Sequence, residues 1–353
     1  MLSSTQLACV CIIKVRPGLH SFLHQNIDSP PRLPTLSLFT MPSTILVVGA
    51  TGNTGKGVVR TLPSLIKNTS LSSHRILALT RSTSSPAAQS IAALPGVELM
   101  EQNWVEITED WLRRHEVSRV FLASHNEPTQ FAEESQFLVN ALNAGVKYVV
   151  RISTTAANVR PNLKAYYPRS HWAIEQMLSQ PEFKAMHWTS LQPNTFTAMF
   201  LDSTVEFIKQ TRRTGEQSPL SLVIDADTKD GLVDSHEVGV IAAHLLAKDD
   251  TSPHNAARYV VNGPEDVTGR QVVKLAEEHI GAPVKHVRYK DLSFIDQMAA
   301  NSSHSQNLIL SIKHALVATW NGHAMAATTS KEVLELYAPK RTVAEVLEEL
   351  LKE

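Results

Sequence analysis

Cysteine is nearly absent from this sequence. Only two cysteines occur among 353 residues, Cys9 and Cys11, and both precede the region that we predict to fold. The folded region therefore has neither a disulfide framework nor a cysteine-based metal site. This usage of cysteine fits a protein of a reducing compartment.

The chain also lacks an excess of charge of either sign and any long apolar run. Its 33 Lys and Arg residues balance 34 Asp and Glu residues, and no basic block occurs. The charge pattern therefore predicts neither nucleic acid nor a membrane surface as a partner. No apolar run approaches the length of a membrane span, and 43% hydrophobic with 19% charged residues is typical of one large or two modest globular domains.

Histidine and acidic residues show no metal-binding spacing. The segment with His236, Glu237 and His244 is only superficially like a zinc signature, because Val240 stands where H-E-x-x-H requires its second histidine. We interpret this segment as a helix with ordinary surface histidines, and we predict no metal site.

The first forty residues contain four prolines and show no sustained period. Met41 directly precedes the first predicted strand, so we interpret residues 1–40 as a disordered tail or as a non-native extension of a chain that starts at Met41. The alternative is a mitochondrial presequence, because basic residues are present and no acid precedes Asp28. We accordingly expect a cytoplasmic protein, or a mitochondrial one if the presequence is real.

The most informative segment is an apolar run that leads into a glycine turn. Residues 45–48 have the length and β-branched content of a buried strand, and a helix is predicted from Lys56. The glycines between them follow G-x-x-G-x-x-G, which allows a tight turn, close approach to a pyrophosphate and packing of the helix on the strand. N–H groups of the first helical turn would face the phosphates. The predicted cofactor contacts here are Gly49, Ala50, Thr51, Gly52, Asn53, Thr54 and Gly55.

The second predicted strand, residues 75–80, is followed by a basic residue rather than an acid. An acid at this place usually holds the ribose 2′-hydroxyl of NAD, whereas a basic residue receives the 2′-phosphate of NADP. Arg81 offers a planar fork of donors, and the Ser82 hydroxyl adds another. The sequence therefore predicts NADP(H) as the cofactor.

Strand and helix patterns alternate after the glycine turn, which favours an α/β fold with a doubly wound parallel Rossmann sheet. We predict an NADP-binding Rossmann domain over residues 41–195 and a smaller α/β substrate lobe, interleaved with the sheet, over residues 196–353. In such a sheet the ligand lies off the carboxyl ends of the strands. This placement adds further predicted cofactor contacts, which are Asn103, Ser124, Pro193, Asn194 and Phe196.

Three local patterns organise the smaller lobe. Residues 223–224 are predicted as a short strand. Residues 234–237 and 268–271 have the form of capping boxes, in which a side chain at each end satisfies a backbone N–H of the other, and each predicts the start of a helix.

Four segments of the sequence recur together in one known family. They are the glycine segment 49–55, Arg81, residues 191–200 (L-Q-P-N-T-F-T-A-M-F, against L-R-P-x-x-F-x-x-N-F) and residues 259–268 (Y-V-V-N-G-P-E-D-V-T, against Y-x-L-T-G-P-E-x-L-T). Through this combination the chain resembles the NmrA-like group of atypical short-chain dehydrogenases/reductases. The resemblance implies either NADPH-dependent reduction of quinones, enones or phenolic ethers, or NADP sensing without known catalysis.

Two residues depart from the family pattern. Gln192 stands where Arg is usual, and Met199 stands where Asn is usual. The second change puts in doubt a polar contact on the nicotinamide side.

The resemblance also supplies candidate catalytic residues, because many short-chain reductases use Ser, Tyr and a Lys four residues after the Tyr. Here Ser153 ends the fifth predicted strand, Tyr167 follows it, and His171 replaces the Lys. Since His is only partly protonated at neutral pH, it would acidify Tyr167 less than Lys does. His171 could instead hydrogen-bond the ribose of the cofactor or donate the proton itself. Tyr166 is an equally close alternative to Tyr167.

Two functions remain open at this point. The first is an NADPH-dependent reductase of a small, largely apolar carbonyl, enone or quinone, with Phe196, Met199 and Phe200 completing the cleft; the resemblance makes a role in secondary-metabolite biosynthesis plausible. The alternative is an NADP(H)-sensing protein that acts through a protein partner, and the residues at 171 and 199 favour it. An epimerase ranks lower because it would retain Tyr-x-x-x-Lys. We expect a monomer or a homodimer.

Overall fold

Seven parallel strands form the central sheet of the computed structural model, which describes residues 42–352. The spatial order is β3-β2-β1-β4-β5-β6-β8, and two further strands, β7 and β9, pair separately. The strands are β1 (Thr44–Val48), β2 (Arg75–Thr80), β3 (Val97–Glu101), β4 (Val117–Leu122), β5 (Tyr148–Ile152), β6 (His187–Pro193), β7 (Leu220–Ser221), β8 (Ala257–Val261) and β9 (Val287–Arg288). The order reverses beside β1, so the prediction of a doubly wound α/β fold is confirmed.

Helices connect the strands and cover both faces of the sheet. They are α1 (Gly55–Ile66), α2 (Pro86–Ala92), α3 (Glu109–Arg114), α4 (Gln130–Ala144), α5 (Tyr166–Leu178), α6 (Thr197–Thr214), α7 (Ser235–Leu246), α8 (Gly269–Ile280), α9 (Ser293–Asn301), α10 (Gln306–Leu310), α11 (Val317–Trp320), α12 (Lys331–Tyr337) and α13 (Val343–Leu350).

The first strand shows why the sheet is covered on both sides. All five residues of β1 are buried. Ile45 and Val47 pack against α1 and α7, whereas Leu46 and Val48 pack in a second core that includes α4 and α5. Because side chains alternate across a strand, an unbroken apolar strand needs a helical layer on each face.

A third core lies in the part of the chain that we assigned to the smaller lobe. It joins α6, α8, α13 and the segment around β7, with Phe200, Leu201 and Leu347 among its buried residues. The same part of the chain also returns to the main sheet, since β8 pairs with β6 and α7 packs against α1. The boundary near residue 195 stays a prediction, and the prediction for residues 1–40 lies outside the described residues.

The two capping-box patterns have different outcomes. Thr268 and Gln271 form the reciprocal pair, so this prediction is confirmed. Asp234 does cap α7, but Glu237 does not return to the Asp234 backbone. The Glu237 carboxylate accepts hydrogen bonds from the segment 337–341 instead. The prediction of a capping box at residues 234–237 is therefore wrong, because Glu237 makes a tertiary contact in place of the local one.

The short strand of the smaller lobe is also displaced from its predicted place. Residues 223–224 form a bend, and the strand lies just before them at Leu220–Ser221. Its partner is Val287–Arg288, far along the chain. Pairing of so short a strand is decided by its partner rather than by its own residues.

Helices α1 and α7 cross without an intervening side chain. A Cβ added to Gly57 would lie 2.3 Å from the His236 carbonyl oxygen, and one added to Gly239 would lie 2.1 Å from the Thr54 carbonyl oxygen. Glycine at both positions therefore sets how closely α7 approaches the start of α1, where the glycine turn ends.

Replacing Gly239 with Ala inserts a methyl group into this crossing. We expect the free energy of unfolding to fall by about 3 kcal/mol, since overpacking forces backbone shifts. Urea unfolding of the variant measures this. Gly145→Ala is the matched control, because a Cβ there meets open space and only the positive φ of 88° opposes it, at about 1 kcal/mol. Equal losses in the two variants would contradict the close crossing.

Candidate functional site

The glycine turn lies at the point where the strand order reverses. Gly49 follows β1 with a φ of 78°, and a Cβ at this position would lie 3.0 Å from the carbonyl oxygen of Ala123, which follows β4. The Gly52 N–H donates to the Gly49 carbonyl oxygen at 2.9 Å and closes the turn. A Cβ on Gly55 would meet that same oxygen at 2.0 Å. The turn therefore requires glycine for two different reasons, a left-handed backbone at Gly49 and close packing at Gly55.

The start of α1 is open to an anion. Thr54 occupies the N-cap position without a capping hydrogen bond from its side chain, and the first turn carries no acidic residue. The positive end of the helix dipole favours a phosphate at such a place, while the N–H groups of Lys56 and Gly57 donate to the carbonyl oxygens of Gly52 and Thr54. The cradle of Gly49, Gly52 and Gly55 leaves the backbone bare, so these residues fit the pyrophosphate of a dinucleotide.

The end of β2 carries the predicted 2′-phosphate contact. Arg81 is exposed, and no acceptor within residues 42–352 pairs with its guanidinium. The neighbouring Ser82 hydroxyl lies 2.9 Å from that of Ser84. Glu101, at the end of β3, accepts hydrogen bonds from the N–H and hydroxyl of Thr83 rather than from Arg81. An uncommitted guanidinium beside two hydroxyls fits a phosphate.

Several other predicted cofactor residues use their side chains internally. The Asn103 carboxamide oxygen accepts from the Val105 N–H, and the Ser124 hydroxyl donates to Glu134 at 2.7 Å. The Asn194 amide donates to Asp230 at 2.7 Å. Pro193 is buried. Phe196 is partly buried and packs against the core that includes residues of α7. These residues lie at the predicted edge of the sheet, and their contact with the cofactor stays a prediction.

Below this edge lies a buried charge network that was not predicted from the sequence. Arg151 on β5 donates to Glu134 on α4 at 2.6 Å, and both are fully buried. Glu175 on α5 pairs at 2.9 Å with Arg258 on β8 and accepts from the Ser190 hydroxyl of β6 at 2.7 Å. The network thus joins three strands to two helices. A charged residue in the apolar run of β5 was the signal that could have revealed it, because buried charges require partners.

The network takes up two of the three predicted catalytic side chains. The Ser153 hydroxyl donates to Glu175 at 2.9 Å, so its proton is not free for a substrate oxygen. Arg151 donates to Nδ1 of His171 at 2.8 Å, which leaves the proton on Nε2, and Nε2 donates to Asn126 at 3.1 Å. Burial and the nearby Arg151 hold the pKa of His171 well below its usual range. His171 is therefore neutral, and both ring nitrogens have partners.

The two tyrosines at the start of α5 differ in the surroundings of their hydroxyl groups. Tyr166 donates its hydroxyl to the Asn126 carbonyl oxygen at 2.6 Å, and burial raises its pKa to about 12. Tyr167 is partly exposed, its ring lies edge-on to His171 at 6.4 Å, and its hydroxyl lies beside Thr154. Burial raises the pKa of Tyr167 as well. Neither tyrosine is acidified, because burial raises the pKa of both. The catalytic roles of Tyr167, Ser153 and His171 stay predictions.

The residues expected to give the cleft an apolar wall are dispersed. Phe200 is only 4% exposed and belongs to the core of the smaller lobe, whereas Met199 is 67% exposed at the start of α6. The expectation for Phe200 is wrong because this face of α6 packs on α8 and α13. Side chains with amide, hydroxyl and imidazole groups instead line a pocket of about 70 Å³ at the ends of β6 and β8.

Within residues 42–352, no helix is long and apolar enough to cross a bilayer. Over that same range, no three His, Cys, Asp or Glu side chains are grouped so that they could hold a metal ion. For the chain as a whole, the absence of a membrane or metal partner stays a prediction.

Replacing His171 with Gln removes a buried titratable ring. The unfolded chain protonates this histidine near its usual pKa, whereas the folded chain does not. The residue therefore lowers the wild-type free energy of unfolding below about pH 6.5, by up to about 1.4 kcal/mol per pH unit. Chemical unfolding at pH 7 and pH 5 should show a smaller decrease for the variant than for the wild type. Identical decreases would contradict a neutral His171.

Two curated proteins are similar in sequence to this chain. An NAD(P)H azoreductase of Xenophilus azovorans is 26% identical over 244 residues, which cover 69% of this chain and 76% of the relative. The (4-alkanoyl-5-oxo-2,5-dihydrofuran-3-yl)methyl phosphate reductase of Streptomyces griseus is 25% identical over 169 residues, 48% of this chain and 54% of the relative. The chain thus matches about half the length of the second relative.

Solved structures share the fold at lower identity. The NADPH-dependent quinone oxidoreductase QOR2 of Escherichia coli, complexed with NADPH, has a TM-score of 0.63 at 21% identity and covers 87% of this chain and 99% of its own. The triphenylmethane reductase of Citrobacter sp., complexed with NADP(H), has a TM-score of 0.63 at 18% identity, covering 88% and 100%. The negative transcriptional regulator NmrA, in complex with NADP, has a TM-score of 0.63 at 15% identity, covering 88% and 96%.

The similarity extends over nearly all of the chain. The model of the NmrA-like family matches residues 41–347, from the residue before the described region to the last helix. It includes the glycine turn, the end of β2 and both segments that carried the resemblance in the sequence. The chain belongs to the NmrA-like family.

Proposed function

We propose that this chain is an NADPH-dependent reductase of a small carbonyl, enone or quinone. The observation that carries the proposal is a combination of three features at one edge of the sheet: a bare glycine turn, a helix start without a side-chain cap or acids, and an Arg81 that has no partner among residues 42–352. The names of the two curated relatives, both reductases, support it. The NADP(H) predicted from the sequence agrees with the cofactors named for the structural neighbours.

When bound, NADPH supplies a hydride, and the protein must orient the substrate and provide a proton for its oxygen. We assign the proton to Tyr167 rather than to Tyr166, whose hydroxyl is committed to the Asn126 carbonyl oxygen. Tyr167 is partly exposed and lies beside Thr154, just beyond the end of β5. Its raised pKa keeps the hydroxyl protonated over the whole neutral range, and solvent returns the proton after reduction.

The other two predicted catalytic residues receive positioning roles. Ser153 fixes the end of β5 by donating to Glu175. His171 connects Arg151 to Asn126, whose carbonyl oxygen holds Tyr166. The start of α5, and with it Tyr167, is thereby held against the loop after β4.

The alternative is an NADP(H)-sensing protein that acts through a protein partner. The observation that favours it is the commitment of both Ser153 and His171 to internal hydrogen bonds, which removes two groups from catalysis. A structural neighbour described as a negative transcriptional regulator binds NADP. Calorimetric titration with NADPH and NADP⁺, followed by NADPH oxidation against quinones and enones, separates the two. Tight binding with unequal affinities and no turnover would favour the sensor.

Replacing Arg81 with Glu tests the cofactor. Loss of charge-assisted hydrogen bonds to the 2′-phosphate should weaken NADPH binding by about 10- to 100-fold, with little loss for NADH. Calorimetry with each nucleotide measures the ratio. Arg60→Glu is the matched control, since Arg60 is an exposed residue of α1 outside the glycine turn. An Arg81 variant that keeps its preference for NADPH would refute the assignment.

Replacing Tyr167 with Phe tests the proton donor. We expect kcat to fall by about 100-fold, which is typical for loss of a general acid, whereas Tyr166→Phe should change it far less. The wild-type rate should stay level from neutral pH to about pH 9, because the ordinary tyrosine pKa is about 10 and burial raises it here. Steady-state kinetics across this range measures both effects. A decrease of the wild-type rate just above neutral pH, or full activity of the Tyr167→Phe variant, would exclude Tyr167 as the proton donor.

A further inference from the structure

A small pocket lies where the substrate of the proposed reductase would meet the sheet. Its volume is about 70 Å³, and it opens at the carboxyl ends of β6 and β8. Thr155, which follows the Ser153–Thr154 pair beside Tyr167, forms one side of it. The polar side chains that line it are those of Thr155, Gln192, Asn194, Asn262, His323 and Thr328.

The carboxamide of Gln192 has one possible orientation. Its Nε2 lies 3.2 Å from each carboxylate oxygen of Glu175, and a carboxylate of this network accepts rather than donates. The other end of the carboxamide, Oε1, receives no hydrogen bond from any donor within residues 42–352. Gln192 is 6% exposed and lines the pocket, so this acceptor is available only from the pocket side.

The carboxamide of Asn262 is fixed in the same way. Its Nδ2 lies 3.0 Å from the Thr328 hydroxyl oxygen and 3.2 Å from that of Thr329. Thr328 donates its own proton to the Met325 carbonyl oxygen at 2.7 Å, so it must accept from Asn262. Oδ1 of Asn262 is then left without a donor among the described residues, on a side chain that is 1% exposed.

We propose that this pocket binds a hydroxyl group that the substrate carries next to the carbon being reduced. The inference rests on the proposed reductase function. An amide oxygen that lines the pocket loses its hydrogen bonds to water when a ligand enters, so a ligand that brings no donor leaves it unpaired. A methyl group in this place is therefore disfavoured. A carboxylate or phosphate is disfavoured at these two oxygens, because its own oxygens are acceptors and bring no proton to them.

The departure at position 192 gives the pocket this character. An arginine, which is usual in the family, would present only donors and a positive charge. Gln192 turns its donor end to Glu175 and presents an acceptor instead, while Arg258 supplies the charge that pairs with Glu175. Gln192 is thus a residue that sets specificity for the substrate.

The test compares two naphthoquinones that differ by one oxygen atom. Menadione carries a methyl group, and 2-(hydroxymethyl)-1,4-naphthoquinone carries a hydroxymethyl group at an equivalent place. Calorimetry on the full chain saturated with NADP⁺ measures binding without turnover. We expect the hydroxymethyl compound to bind about three- to tenfold more tightly, as the one neutral hydrogen bond that its hydroxyl proton can donate allows.

Two variants assign that preference to the carboxamides. Because the hydroxyl proton is donated to one carboxamide oxygen, at least one of Gln192→Met and Asn262→Leu should bring the affinity ratio of the two compounds close to one. Gln180→Met, on an exposed residue just after α5, should leave the ratio unchanged. If one pocket variant fails to fold, Gln192→Ala or Asn262→Ala replaces it, because the alanine variant removes the same carboxamide oxygen.

Equal binding of the two compounds to the wild type, or a preference that survives in both pocket variants, would overturn the inference. The reductase proposal fails by a different result. If NADPH is not oxidised with either quinone while the binding preference and its loss are observed, the pocket assignment stands and catalysis does not.

Discussion

A buried ion network determines the arrangement of the candidate site. Arg151 and Glu134 have no contact with water, and Glu175 is nearly as inaccessible. Removing charges from water is costly, so each must keep its partners, and leaving one unpaired costs about 3–5 kcal/mol. The partners lie on β5, β6, β8, α4 and α5, so the network holds these five elements in one relative arrangement. The network thus ties the end of the sheet where substrate would bind to α4 and α5.

The same network decides which groups remain available for chemistry. Ser153 and His171 resemble members of a catalytic triad in the sequence, yet each is held by a charged partner. Tyr167, whose hydroxyl lies beside Thr154, and the carboxamide oxygen of Gln192, which lines the small pocket, are not taken up by charged partners. A hydrogen-bond donor that is already committed to a buried carboxylate cannot also be offered to a substrate without leaving that carboxylate short of a partner. The side chains that remain free to contact a substrate are therefore those that the buried charges do not need as hydrogen-bond partners.

The two halves of the site differ in how far the sequence could predict them. The cofactor half depends on local geometry, since Gly49, Gly52 and Gly55 act within one turn and Arg81 directly follows a strand. The substrate half is assembled from segments distant in sequence, and there the predictions were weaker. Phe200, which was expected to line the cleft, lies in the core of the smaller lobe. The polar pocket beside Gln192 and Asn262 was not predicted. Cross-sheet contacts of this kind have no local signature.

The sequence by itself determined the doubly wound sheet, the glycine turn and the family, because apolar periodicity and glycine spacing act over a few neighbouring residues. Tertiary structure alone decided the partner of Glu237, the neutral state of His171 and the orientation of the Gln192 carboxamide. Each of these depends on which charged or polar group another element brings within 3 or 4 Å, the range over which hydrogen bonds and ion pairs act. The order of residues along the chain does not show which groups on different elements lie within this distance of each other.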